Sequence, residues 1–431
     1  METTPKGNRR PPWLWVPSLY FAEGVPYVIV TGMTVVMYKR LGVSNSDITA
    51  YTSWFALPWV LKPLWSPWVE ISRTKRSWIV TMQLLVTAAL GLLASCLLAP
   101  NFFRISLGLF LVLAFFSATH DIAADGFYML GLTRHEQAWW VGVRNTFFRL
   151  ATTCGGGSLV LLAGSLEKRL GSIPAAWSMT LLTATIIFLL FNVWHIFVLP
   201  RPANDAPVRT VRRLGSDFLA TFASFFEKPG VGMALAFILL YRLDEALLAK
   251  VVPLFLLDPP EKGGLGVATI QEGLAYGIYG VLALILGGLT GGFLAARHGL
   301  QRILPFMVAG MYLPKFAFIY LAVSQPENFG LVCGAITVEQ FGYGLGFTAF
   351  MLYLLYFSDG PRRTAHYAIC TGFMALGMMV PGMGSGWLAS HLGYQRFFIV
   401  VFFSALPGLF VVLRLKLDRR FGRKSEPPPA P

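Results

Sequence analysis

The stretch "SPWVEISRTKR", residues 66–76, has a counterpart in "GGFLAARHGLQR", residues 291–302, and the pair decides how the chain is read. Each places a small residue, Ser66 or Gly292, at the end of an apolar run. Four residues on stands Glu70 or Ala296, and a basic loop follows. Positions four apart share a helix face, so each copy marks one side of a helix just before it turns. The first copy keeps an acid and the second does not. Glu70 with Arg73 therefore reads as a gate in the first copy, and the second copy must lock differently. Equivalent loops at equivalent places point to a duplicated unit.

Composition sets the medium. Of 431 residues, 55% are hydrophobic and 13% are charged, against about a quarter charged in a soluble domain. The apolar runs are each about 20 residues or longer, enough to cross a hydrocarbon core about 30 Å thick. They fall at 13–38, 47–71, 77–99, 105–131, 138–165, 175–199, 229–257, 269–296, 303–324, 329–357, 364–390 and 397–415. No small-residue cleavage site follows the first, so it reads as a retained helix rather than a signal peptide. The net charge of +14 gathers in the termini, "SRTKR", 200–228, "RHGLQR" and "GPRR". That asymmetry fits the positive-inside rule with both termini cytoplasmic, and it argues against nucleic-acid binding. Cys96, Cys154, Cys333 and Cys370 lie inside apolar runs without CxxC spacing, so neither a zinc site nor a disulfide framework is indicated.

Six runs precede residue 200 and six follow residue 228. The expected organisation is a six-helix bundle over 1–199, a cytoplasmic linker over 200–228, a second six-helix bundle over 229–416, and a tail over 417–431. In the linker, Phe218, Leu219, Phe222, Phe225 and Phe226 recur at helical spacing, which suits a short helix on the membrane surface. Two six-helix halves, all α-helical, describe the major facilitator fold.

Ionisable residues at membrane depth are costly and mark function. "FFSATHDIAADGFYML", residues 115–130, carries Asp121 and Asp125 one turn apart on one face, with His120 roughly a third of a turn away. Two carboxylates in a low-dielectric site cannot both ionise cheaply, so at least one is expected to hold a proton. Asp125 is the first choice of carrier. Lys62 stands mid-run among Pro58, Pro63 and Pro67, which should disturb the helix. Arg144 lies near a helix end and can snorkel; Arg149 is deeper, and its planar fork suits a carboxylate or phosphate. Glu23, beside Gly24 and Pro26, joins a cavity or a buried pair. In the second half Arg242, Asp244, Glu245 and Lys250 crowd one run, too many for a helix facing lipid. Arg242 and Glu245 are spaced to pair with each other or to line a cavity. Glu339 opens a glycine-rich stretch, and Lys315 reads as a packing or interface group. Tyr20 and Trp54 offer faces for a sugar ring, against the simpler reading of an interfacial belt.

Taken together, "LKPLWSPWVE", "SRTKRSW", "FFSATHDIAADGF", "FFRLATTCGGG", "LLYRLDEALLAKVVPLFL" and "VEQFGYGLGFTAFMLYLL" resemble the AmpG-type muropeptide permeases of the major facilitator superfamily. The related acetyl-CoA transporter family shares the look of "HDIAADG". The resemblance extends over most of the chain. It implies import of N-acetylglucosaminyl-anhydro-N-acetylmuramyl peptides across the bacterial cytoplasmic membrane, driven by the proton gradient. It also implies family counterparts for Lys62, Asp121, Asp125, Arg149, Glu245 and Glu339, with the two aspartates matching residues essential for transport. Asp244 departs from the pattern where glycine is expected, and Glu23 where a small residue is. The two additional hydrophobic segments of well-known members are not expected in this chain.

The expected protein is thus a proton-coupled symporter without a cofactor or metal, working as a monomer on a small anionic substrate. Asp121 and Asp125 would carry protons. Lys62, Arg149, Arg242, Glu245, Glu339, Glu23, Tyr20 and Trp54 would contact cargo. An acyl-CoA or other phosphorylated anion is the alternative cargo. A multi-pass transferase fits less well, because the loops are short and the aspartates lie inside a run.

Overall fold

A computed structural model describes residues 10–132, 134–202, 205, 220, 222–359, 363–415 and 417. Almost all of these residues are helical. The chain divides into two compact units, one built from 1–219 with 268–273 and the other from 220–267 with 274–431.

In the first unit α1 (Val16–Val28) runs through a π-helical turn, Ile29–Met33, into α2 (Thr34–Arg40). Then come α3 (Asn45–Ser53), α4 (Leu57–Ser72), α5 (Lys75–Cys96), α6 (Phe102–Gly131), α7 (Arg134–Thr153), α8 (Leu159–Leu170) and α9 (Ile173–Val198). Pro26 removes an amide inside α1, and the π turn follows directly. Close approach of α1 and α7 depends on Gly24: a β-carbon there would lie 2.7 Å from Ala151 Cβ and 2.9 Å from the Phe148 carbonyl oxygen. At the start of α5, Thr74 Oγ1 accepts from the Ser77 amide at 3.1 Å. The Asp205 carboxylate accepts from the Lys75 and Arg76 amides at 2.7 and 3.1 Å. Free amides and the positive end of the helix dipole favour a carboxylate there, so Asp205 ties the start of the linker to the bundle.

The expected disturbance around Lys62 falls elsewhere. A 3-10 turn, Trp54–Ala56, precedes α4, with Pro58 in its first turn, while the helix continues through positions 63 and 67. A first-turn proline loses no helical hydrogen bond.

The second unit holds α10 (Val231–Leu240), α11 (Leu243–Leu257), α13 (Val281–His298), α14 (Leu300–Tyr312), α15 (Phe316–Ser324), α16 (Phe329–Ser358), α17 (Arg363–Ser404) and α18 (Leu406–Arg414). The four-residue α12 (Thr269–Glu272) belongs with the first unit, where Thr269 Oγ1 donates to Glu167 Oε2 at 3.1 Å. The run expected at 229–257 is broken at Tyr241 and Arg242. There the Tyr312 hydroxyl donates to the Tyr241 carbonyl at 2.9 Å, serving an oxygen the break releases. Gly393, at φ 70° and ψ 159°, kinks α17 between the runs expected at 364–390 and 397–415.

Among the described residues nine helices are long and apolar enough to cross a membrane. The runs at 47–71 and 229–257 are not among them, the second being broken at Tyr241 and Arg242, and the last two runs count as one. Most of the linker and tail, including Phe218 and Leu219, lies outside the described residues. Phe225 is fully buried, its ring stacked on Phe373 and edge-on to Phe357, while Phe226 is exposed.

Candidate functional site

In the first unit four helices bring charge to one place. From α6, Asp121 and Asp125 project one turn apart. Lys62 of α4 donates from Nζ to Asp121 Oδ2. Arg144 Nη2 of α7 reaches Asp125 Oδ1 at 2.7 Å. From α1, the Tyr20 hydroxyl donates to the same Oδ1 at 3.4 Å, and Glu23 completes the group. Oxygens of Glu23, Asp121 and Asp125 lie within 4.8 Å of one another. The Arg144 guanidinium also covers the Tyr20 ring, 4.4 Å from its centroid, and the Tyr128 ring at 5.6 Å. Such stacking over an aromatic face is favourable in its own right and fixes the plane of the fork.

Exposure differs across the group. The Asp125 side chain is 34% exposed and that of Asp121 16%. Glu23 and Tyr20 are buried, and Glu23 Oε2 has no hydrogen-bond partner among the described residues. Three carboxyls face two fixed cations, so full ionisation leaves one negative charge unbalanced. A buried unpaired carboxylate is expensive, and a proton held among the three removes that cost. A metal ion would have to compete with Lys62 and Arg144, which already neutralise two of the acids.

The arginine beside Asp125 is Arg144, the one expected to snorkel. Arg149 is half-buried further along α7, where its carbonyl accepts from Thr152 Oγ1 at 2.7 Å and Thr153 Oγ1 at 3.3 Å. His120 faces away from the carboxylates. Its Nε2 meets Gln83 Nε2 at 3.0 Å, and Gln83 also contacts His195 Nδ1, whose Nε2 meets Ser18 Oγ at 3.0 Å. That buried chain ties α1, α5, α6 and α9 together. Trp54 is exposed. In the gate loop Arg73 is exposed and the Glu70 side chain lies outside the described residues, as does that of Ala296. Arg76 instead donates to the Ile196 and Leu199 carbonyls at 2.5 and 3.3 Å, capping the end of α9.

The second unit has its own charged group. Lys315 ends a 3-10 turn, Leu313–Lys315, between α14 and α15. Its Nζ lies 2.5 Å from Asp244 Oδ2 and 3.1 Å from Glu245 Oε2. The Arg242 guanidinium donates to the Tyr343 hydroxyl and sits over the rings of Tyr343, Phe347 and Phe350, rather than pairing with Glu245. Glu339 is completely buried in α16. Sequence reasoning undervalued Lys315; a lysine inside an apolar run calls for a buried acid, and Asp244 was the acid in reach.

The Major Facilitator Superfamily model matches residues 246–431. The anhydromuropeptide permease of Escherichia coli (strain K12) is 25% identical over 416 residues, covering 95% of this chain and 80% of that one. An AmpG-named transporter of Rickettsia conorii is 25% identical over 411 residues, covering 92% and 94%. Among solved structures, a D-xylose-proton symporter superposes with a TM-score of 0.69 at 12% identity, covering 93% of this chain and 96% of that one. A bacterial homologue of the lysosomal transporter Spinster gives 0.68 at 14%, covering 93% and 95%.

Charged groups here converge from several apolar helices, on a fold shared with solved multi-pass transporters. Over residues 246–431 the chain is similar to the major facilitator superfamily, and over most of its length to AmpG-named permeases.

Proposed function

We propose that this permease imports anionic cell-wall muropeptides, N-acetylglucosaminyl-anhydro-N-acetylmuramyl peptides, together with protons. The names of its relatives support that cargo. The observation that carries the coupling is the Asp125–Arg144 pair beside two further carboxyls. Arg144 has one guanidinium and two possible acidic partners, Asp125 and a cargo carboxylate. A cargo carboxylate that takes the fork leaves Asp125 without its cation, and Asp125 then binds a proton from the side facing solvent. Release of cargo restores the ion pair and expels the proton. Lys62 and Asp121 form a parallel pair that can serve a second anionic group of the cargo, with Arg149 next along α7. Two six-helix halves, 1–199 and 229–416, joined by the linker 200–228 and with the tail 417–431 cytoplasmic, would alternate access to this site.

The test is uptake into proteoliposomes holding purified protein. Labelled anhydro-muropeptide should accumulate faster with acid outside, and a protonophore should abolish accumulation. Excess unlabelled muropeptide should compete and excess CoA ester should not. Competition by the CoA ester alone would replace the cargo while leaving the transporter class intact.

A further inference from the structure

We propose that the second unit holds a proton-binding site of its own, in which Glu339 carries the proton beside the Lys315–Asp244–Glu245 ion pairs. The inference rests on the proton-coupled reading above and extends it to a part of the chain that reading does not use.

The site is built from three elements and closed to solvent. Asp244 and Glu245 occupy the first turn of α11, directly after the break at Tyr241 and Arg242. Amides freed at a helix start favour acids there. Lys315 comes from the turn between α14 and α15, and Glu339 from α16. All four side chains are buried, Asp244 and Glu339 completely. The charges facing Glu339 are those of Glu245, Asp244 and Lys315, with the Gln340 amide donating to its Oε2 at 2.8 Å.

The charge count decides the matter. Lys315 is the cation that pairs with these acids among the described residues, and it reaches two of them. Arg242 is turned to Tyr343 and its aromatic neighbours, and Lys250 stands nearly two turns along α11 from Asp244. Three ionised carboxyls against one ammonium would bury two unbalanced negative charges. Glu339 is closed to solvent, and its Oε1 has no hydrogen-bond partner among the described residues. A protonated carboxyl is the form that such a place tolerates. Glu339 is the member without an ion pair, so the proton rests there. Glu245 shares Lys315 with Asp244 and so keeps a cation beside it, as Glu339 does not.

A site of this kind adds a proton to the transport cycle beyond the one assigned to Asp125. The experiment measures protons moved per cargo in proteoliposomes, from the cargo gradient that just balances a known proton gradient. Wild-type protein should give one proton more per cargo than Glu339→Gln, which mimics the permanently protonated carboxyl. An unchanged ratio in a folded Glu339→Gln protein would overturn the proposal while leaving the Asp125 reading in place. No dependence on the proton gradient in wild type would instead remove the reading on which both rest. Should Glu339→Gln fail to reach the membrane, infrared spectra of reconstituted Asp125→Asn protein answer the same question. A protonated-carboxyl carbonyl band at neutral pH that fades on strong alkalinisation supports the site; absence of that band contradicts it.

Discussion

Arg144 Nη2 stands 2.7 Å from Asp125 Oδ1 while the same guanidinium lies over the ring of Tyr20, whose hydroxyl donates to that oxygen. One arginine is thus held by an aromatic face and balanced by a half-open acid. Asp125→Asn keeps the shape and removes the charge, so the protein should reach the membrane in normal amount yet fail to accumulate cargo. Both side chains are partly exposed, so the pair should contribute only about 1 kcal/mol to stability. Membrane quantitation alongside uptake checks this. Accumulation at wild-type level in that variant would show that the proton carrier is misassigned.

Arg144→Ala should be worse for uptake than for folding, because it strips Asp125 of its cation and removes the anchor offered to cargo. The double variant Arg144→Ala with Asp125→Ala should fold at least as well as Arg144→Ala alone, since Asp125 is no longer left without its cation. Thermal unfolding of the three proteins in detergent measures the coupling. A double variant less stable than either single one would argue against direct pairing.

Tyr312→Phe tests the break between α10 and α11. Its hydroxyl is the donor to the Tyr241 carbonyl, and loss of that bond at a buried oxygen should cost about 1–3 kcal/mol. Gly344→Ala should be costly for a different reason. A β-carbon there would lie 2.2 Å from the Leu284 carbonyl oxygen and 2.8 Å from the Gly288 amide nitrogen. Backbone cannot step aside as a side chain can, so overpacking of about 1–3 kcal/mol is expected. Lowered melting temperatures check both, and an unchanged value would show that the helices have room to shift.

Lys228 lies just outside the run at 229–257 and gives a pH dependence. Its ammonium donates to the Phe357 and Asp359 carbonyls at 2.5 and 2.8 Å. Burial holds its pKa below the usual lysine value, with Cys370 and Asp359 pulling the other way. Between the folded and unfolded pKa values the unfolded chain therefore binds more protons, and stability rises with pH. Below that window the penalty is fully present. The stability difference between wild type and Lys228→Gln should move in favour of wild type as pH climbs toward the usual lysine range. A difference that stays flat with pH would contradict the assignment.

Much of the site could be read from spacing alone. Asp121 and Asp125, four apart in an apolar run, had to share a face, and Lys62 in mid-run had to find an acid. Which arginine meets Asp125 was not legible. Arg144 and Arg149 are five apart, about 140° around a helix, so only one can face α6, and the choice is made by how α7 packs on α1 at Gly24. The crowding of Arg242, Asp244 and Glu245 foretold a helix unlike its neighbours, though not the break at Tyr241, which depends on a hydroxyl from α14. Pro63 and Pro67 misled in the opposite direction. A proline removes one amide and crowds one carbonyl, and a helix packed among others can continue past it. The Ser18–His195–Gln83–His120 chain joins residues distant in sequence, and no local pattern announces it.

The measurement closest to the central claim records proton and muropeptide entry together in the same proteoliposomes, for wild type and for Asp125→Asn. Wild type should take up protons in step with cargo, and Asp125→Asn should show neither cargo-driven proton entry nor accumulation. Cargo accumulating in wild type with no accompanying proton, and undisturbed by a protonophore, would contradict the account.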